Sequence, residues 1–391
     1  MWIVIRVRQY LKPEKYEKRF EVSRERIRRA TSYEEPDRVP VQLSTNYRFS
    51  ERFHPISMRE YFLDPRKQIV GNLLHTRFML DSFDHDVTGI GAMAPNFHNT
   101  VEASAFGCEV VFPEHDVAMA RTPLLPDIRD VDSLEVPDPR RDGLMAKCFE
   151  YYEVFKRELG SQMEVHVGGS CDGPFTLATQ LVDPRQIVRA MYREPNVVRR
   201  LMKICTEAEI AWISERLAEE GRDKEDREFW SFADDSCQLL SPKMYEKFVV
   251  PYQLKIVEKF SRGKVSGIHM CGHVSHLIPV VRKLFHPRQW DFGYPIDPLW
   301  AKEVVGDECV LIGNVSPLLI ASGTPREVEE ASLRCIQAVA PGAGYILMDG
   351  NNIPPSPLEN VRAMIDAAKK YGYYPRGANL QGGDRGPQLA V

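Results

Sequence analysis

"SGIHMCGHVSHLIP", residues 266–279, joins a short alternating run to a new helical pattern and sets His269 and Cys271 two positions apart at the junction. Successive side chains of a strand point to opposite faces, so His269 and Cys271 share one face while Met270 takes the other. Imidazole and thiolate together suit a zinc ion; a histidine and a cysteine packed at a strand end are the plainer alternative. Junctions of this kind recur along the chain, and their recurrence decides the fold.

From residue 142 onward the order is regular. A helix through "MAKCFEYYEVFKREL" precedes "EVHVGGS", helices follow from about 175 to 219, and "EFWSFAD" leads into a single helix over "SPKMYEKFVVPYQLKIVEKF" with Ser241 as cap and Pro242 in its first turn. The later strands are "KVSGIHMCG", "QWDFGYPID", "CVLIGNVSP" and "GYILMDGNN", with a helix over "TPREVEEASLRCIQAV" capped by Thr324. Upstream, Pro36 and Pro40 bracket a first strand over Val39–Leu43, residues 66–86 hold a further helix and strand, and 87–140 reads as a Pro- and Gly-punctuated insertion. Roughly eight strands alternating with helices, without a dinucleotide glycine fingerprint, favour a closed parallel barrel over a doubly wound sheet. The expected fold is therefore α/β, a (β/α)8 TIM barrel with an N-terminal helical extension and an insertion near the start of the barrel. Its parts are a basic helical arm over 1–35, a catalytic barrel over 36–375 and a flexible Gly-rich tail over 376–391 that is frayed or serves a homodimer contact.

Composition narrows the function. The 391 residues are 43% hydrophobic and 27% charged, with a net charge of -4, which gives no general reason to expect nucleic acid as a partner. Residues 1–30 carry ten Lys or Arg against four Glu, on a helix whose Tyr16, Phe20 and Ile27 make an apolar stripe. That arm steers an acidic partner or is a solvated N-terminal helix. The opening "MWIVIRVRQYL" is too short an apolar run for a signal or a membrane span, and eight cysteines without close pairs agree with a reducing cytoplasm.

In a barrel the chemistry gathers at the C-terminal ends of the strands. There the sequence places His166 with Cys171 and Asp172, Asp234 with Asp235 and Cys237, His269 with Cys271 and His273, Asp291 with Asp297, then Asn314, and Asp349 with Asn351 and Asn352. Of the adjacent aspartates only one is expected to face the mouth. Asn314 either binds ligand or shapes a turn with Gly313, and Asp349 either coordinates metal or ends its strand. Tyr47, Phe49, Phe97, Trp230, Phe292 and Tyr294 line a pocket or belong to ordinary core.

Taken in order, "EEPDRVPV", "SLEVPDPRRDG", "GPFTLATQL", "DDSCQLLSPKMYEKFVVPY", "HMCGHVSHLIP", "LIGNVSPLLIASGTPREVEE" and "GYILMDGNNIPPSPLENVRAM" resemble the uroporphyrinogen decarboxylase superfamily from about residue 24 onward. The resemblance implies a (β/α)8 barrel and one of two chemistries: metal-free decarboxylation of tetrapyrrole acetates, or zinc-assisted methyl transfer to or from a corrinoid on a partner protein. "PVQLSTNYRFS" lacks the arginine pattern of the decarboxylases, whereas His269 and Cys271 match the His-x-Cys of the methyltransferases. Asn351, in "DGNNIPP", stands where that branch has a further cysteine. The resemblance thus implies a zinc site of His269 and Cys271 completed by Asp349, Asp235 or Cys237, with Asp235, Asn314 and His166 as catalytic groups. It also implies a small-molecule methyl donor with an O-methyl or N-methyl group, and a corrinoid (cobalamin) supplied in trans by a corrinoid-binding protein. The reverse transfer to a thiol and a metal-free lyase are the alternatives.

Overall fold

The computed structural model describes residues 6–168, 172–222, 230–261 and 265–375. Cys171, the first residues of the basic arm and the tail over 376–391 lie outside them. Among the described residues the chain forms a two-stranded antiparallel ribbon, β1 (Val110–Val111) with β2 (Met119–Ala120), and a five-stranded sheet ordered β3 (Trp230–Ala233), β4 (Val265–Met270), β5 (Gln289–Phe292), β6 (Val310–Val315), β7 (Tyr345–Asp349). Every neighbouring pair of the larger sheet is parallel.

Several helices that return the chain to that sheet start with a capping side chain and a proline. Asp297, Ser316 and Thr324 accept backbone N–H groups at the starts of Pro298–Val305, Pro317–Ser322 and Pro325–Val339. Such a cap contributes about 1 kcal/mol, and proline at the first turn gives up no hydrogen bond the helix would make. The single helix expected over 241–260 is two, Pro242–Phe248 and Val250–Ser261. The break falls beside Pro251, which has no N–H to offer the preceding turn.

The eight continuous strands expected from the sequence are not all present among the described residues. The upstream candidates survive as single parallel bridges, Val41 to Leu347, Met93 to Val165 and Asp172 to Ala233. The reason is visible at the first of them: the Val41 N–H donates to the Asp86 carboxylate at 2.8 Å, and Pro40 has no N–H to donate. The result is an α/β fold rich in helix, with a parallel sheet extended by bridges into a distorted, barrel-like arrangement. The expected insertion holds β1 and β2 and two short turns of 3-10 helix, His98–Thr100 and Ile128–Ser133.

The basic arm is laid on the core. Tyr16 and Phe20 pack with Leu80, and Arg26, 2% exposed, makes ion pairs with Asp37 and Asp86 while Arg38 makes a second with Asp86. No helix of the described residues is long and apolar enough to cross a membrane.

Candidate metal centre

The register of the sheet builds the site. Ala233 pairs with His269, and His269 with Asp291, so three neighbouring strands end side by side. Along β4 Ile268 and Met270 are buried in the packing between sheet and helices, while His269 is half-buried on the other face, followed two residues later by Cys271. Asp235, just beyond β3, completes the group: one ligand atom each from Asp235, His269 and Cys271 lie within 4.8 Å of one another.

Each member is held by a neighbour. His269 Nε2 lies 3.5 Å from Asp235, and its Nδ1 lies 2.8 Å from Asp291, which fixes the ring with Nε2 toward the cluster. The Cys271 N–H donates to Asp235 at 2.8 Å. A Cβ at Gly293 would overlap the Cβ of Cys271, so glycine is what lets the next strand end pass this close. Burial opposes charge on His269, yet Asp235 and Asp291 outweigh it and raise its pKa well above the usual value. Burial likewise opposes ionisation of Asp235, and the hydrogen bond from His269 overcomes it, so that carboxyl sits below its ordinary range. An imidazole, a thiol and a carboxylate, with a second carboxylate on the far ring nitrogen, form a donor set that suits zinc.

Other residues singled out from the sequence take different places. Asp349 is fully buried, accepts the N–H groups of Ser44 at 2.8 Å and Asn351 at 3.3 Å, and is pushed up to about 7 by burial. Cys237 is fully buried on the short turn after β3, outside the Asp235, His269 and Cys271 group, with its thiol raised by burial and by Asp234. Asn314 donates to the carbonyls of Gly293 at 3.3 Å and Ile296 at 2.7 Å, anchoring the loop after β5. His166 lies between Glu220 at 3.2 Å and Glu164 at 3.3 Å. Asp234 takes N–H and O–H donors from Thr176 and Gln253 and so holds the start of helix Pro174–Leu181. Phe97 lines the cavity, whereas Tyr47, Phe49 and Phe292 are buried in the core.

Asp235 and His269 open on a cavity of about 650 Å³, a size usual for small-molecule sites. Glu102, Asp172, Trp212 and Arg216 also line it, and of these only Asp172 was singled out from the sequence. A signal for part of it exists in the sequence, since Leu201, Cys205, Trp212 and Ile213 define the buried face of helix Pro195–Glu219 and place Glu209 and Arg216 on that same face.

The fold and this site define an α/β protein with a candidate metal centre beyond the C-terminal ends of a parallel sheet. The family model for uroporphyrinogen decarboxylase (URO-D) matches residues 22–371, and the chain belongs to that family. Within the family it is related to the methylcobamide:CoM methyltransferases. MtbA of Methanosarcina acetivorans is 25% identical over 299 residues, covering 74% of this chain and 82% of the relative. A uroporphyrinogen decarboxylase of Trichlorobacter lovleyi is 26% identical over 250 residues, covering 62% and 69%. Among solved structures, a methyltransferase from Methanosarcina mazei shares the fold with a TM-score of 0.66 at 21% identity, covering 88% of this chain and 97% of that one.

Proposed function

We propose that this protein is a zinc-dependent methyltransferase that moves a methyl group from an O-methyl or N-methyl substrate to the corrinoid of a partner protein. The observation that carries the reading is the convergence of Asp235, His269 and Cys271 in one group, two of whose members, Asp235 and His269, line a ligand-sized cavity. A zinc ion held by these three would act there as a Lewis acid on the heteroatom that loses its methyl. His269 and Cys271 supply nitrogen and sulfur, and Asp235 supplies oxygen in place of a further thiolate, which leaves such a centre more electrophilic than a thiolate-rich one. Asp291 orients the His269 ring, and Asn314 acts as a positioning residue through the loop after β5. Asp349, Cys237 and His166 stand farther back in this reading, shaping the strand ends.

The partner would dock over the open end of the sheet. Leu239, Tyr294, Leu299 and Leu318 are between 50% and 71% exposed, and all four lie in segments that follow strand ends of the parallel sheet. Exposed apolar side chains gathered at one end of a fold mark an interaction surface. We read the sheet and its single bridges as a distorted eight-stranded barrel, and the free thiols of the described residues as suited to a reducing, cytoplasmic setting.

A second reading, transfer from a methylated corrinoid to a thiol, is favoured by the names of the relatives in Methanosarcina. The test is elemental analysis of the purified protein against a folded His269→Ala, Cys271→Ala double variant, followed by spectroscopy of a candidate partner's corrinoid with a panel of methyl ethers and methylamines. Near-stoichiometric zinc that disappears in the variant, with zinc-dependent methylation of the corrinoid, supports the first reading. Methylation of thiols alone supports the second, and absence of zinc after reconstitution overturns both.

A further inference from the structure

One part of the cavity wall carries more acid than its surroundings neutralise. Glu102 is 5% exposed, lines the cavity, and takes no hydrogen bond from another residue among the described ones. Asp172 also lines the cavity, and its Oδ2 is buried without a hydrogen-bond partner. Behind them Glu209 is fully buried with both carboxylate oxygens unpartnered. Arg216, which also lines the cavity, acts on Glu102, and its guanidinium lies 4.9 Å from the centre of the Trp212 ring. By contrast Asp234, equally buried, is surrounded by donors from Thr176, Phe175 and Gln253.

A carboxylate removed from water without a partner is costly, and the usual remedies are a proton or a cation. Burial raises the pKa values of Glu102, Asp172 and Glu209, and neighbouring acids add to it for Asp172 and Glu209, so these carboxyls hold their protons more readily than exposed ones. An arriving cation supplies the partner that these carboxyls lack. Glu102 and Asp172 are the two carboxyls that touch the open space, and Trp212 adds an aromatic surface beside them.

We propose that this wall seats a positively charged group of the substrate, an ammonium or similar small organic cation held by Glu102 and Asp172, with the methylated heteroatom turned toward Asp235, His269 and Cys271. The substrate class is then a methyl donor that also bears an amine. The orientation toward the metal centre rests on the methyl-transfer reading above; the preference for a cation does not.

Isothermal titration calorimetry of the full chain separates the two. The probes are methoxyalkylammonium ions of increasing chain length, with methoxyalkanes and methoxyalkanoates of matching length as neutral and anionic comparators. The expected result is saturable binding of at least one ammonium, with both comparators at least tenfold weaker. Glu102→Gln, and separately Asp172→Asn, should cut that affinity tenfold or more and leave zinc content unchanged. Comparators that bind as tightly as the cation, variants that both bind it like the unmodified protein, or no ammonium binding at millimolar concentration overturn the proposal. Because the measurement needs neither corrinoid nor turnover, a protein without zinc activity that still prefers the cation would sink only the methyl-transfer reading.

Discussion

The Asn351 side-chain amide points at Cys271, with Nδ2 3.7 Å from the sulfur. Asn351, where the resemblance read from the sequence implied a further cysteine, therefore faces the candidate metal centre. Asn351 also has φ 151°, outside the regions that side-chain-bearing residues ordinarily adopt.

Asn351→Cys should therefore add a thiolate to the group of Asp235, His269 and Cys271. The expected outcome is a zinc affinity higher by roughly tenfold or more, with little change in stability, since the unusual backbone at 351 already carries a side chain. Competition with a chromophoric chelator and a thermal melt read the two effects separately; unchanged affinity would place position 351 outside ligand reach.

Asp291→Asn keeps the shape of the side chain that touches His269 Nδ1 and removes its charge. Loss of such a partner costs about 10–100-fold in metal affinity. Zinc affinity should fall by that order while the melting temperature changes little, because Asp291 is half-exposed and its Oδ1 has no hydrogen-bond partner to lose.

Asp86 is the buried acceptor shared by Arg26 and Arg38, and although burial opposes its charge the two guanidinium groups lower its pKa to about 2. Its unfolded value is about 3.9. A depressed carboxyl contributes stability that is present above the unfolded value and is lost as pH falls through the folded one, so about 2–3 kcal/mol should disappear between roughly pH 4 and pH 2. Urea midpoints measured across that range should show the loss, and Asp86→Asn should abolish it while costing about 3–5 kcal/mol at neutral pH.

Leu318→Asp and Leu299→Asp alter the exposed apolar rim without touching the cavity. Each should weaken the partner complex by about tenfold or more, with zinc content and melting temperature preserved. Equal binding by surface plasmon resonance with both variants would move the docking surface elsewhere.

Much of this architecture is written locally. β4 through β7 announce themselves by short apolar runs and by the Ser, Thr, Asp and Pro residues that start the next helices, and those signals act over a few positions. The upstream strands are harder because their pairing is settled by a distant side chain: nothing near Val41 says that Asp86 will take its N–H. The split of the helix at Pro251 was open to local reasoning. At the site, alternation alone put His269 and Cys271 on one face, whereas the choice of Asp235 over Asp234 depended on Thr176 and Gln253, from other elements, claiming the latter. The acidic wall was hidden for the same reason. Glu102, Asp172 and Arg216 come from three separate segments, and their meeting is a property of the tertiary fold.

The bridge between Val41 and Leu347 joins residues more than three hundred positions apart, and close by the Val39 N–H donates to the Gly372 carbonyl at 2.9 Å. Contacts of that separation must overcome the entropy of closing nearly the whole chain before they return any stabilisation. The two ends should therefore meet late on the folding pathway. Stopped-flow refolding would show it as a slow final phase, sped by a circular permutation that links the strand at Val41 directly behind the one at Leu347.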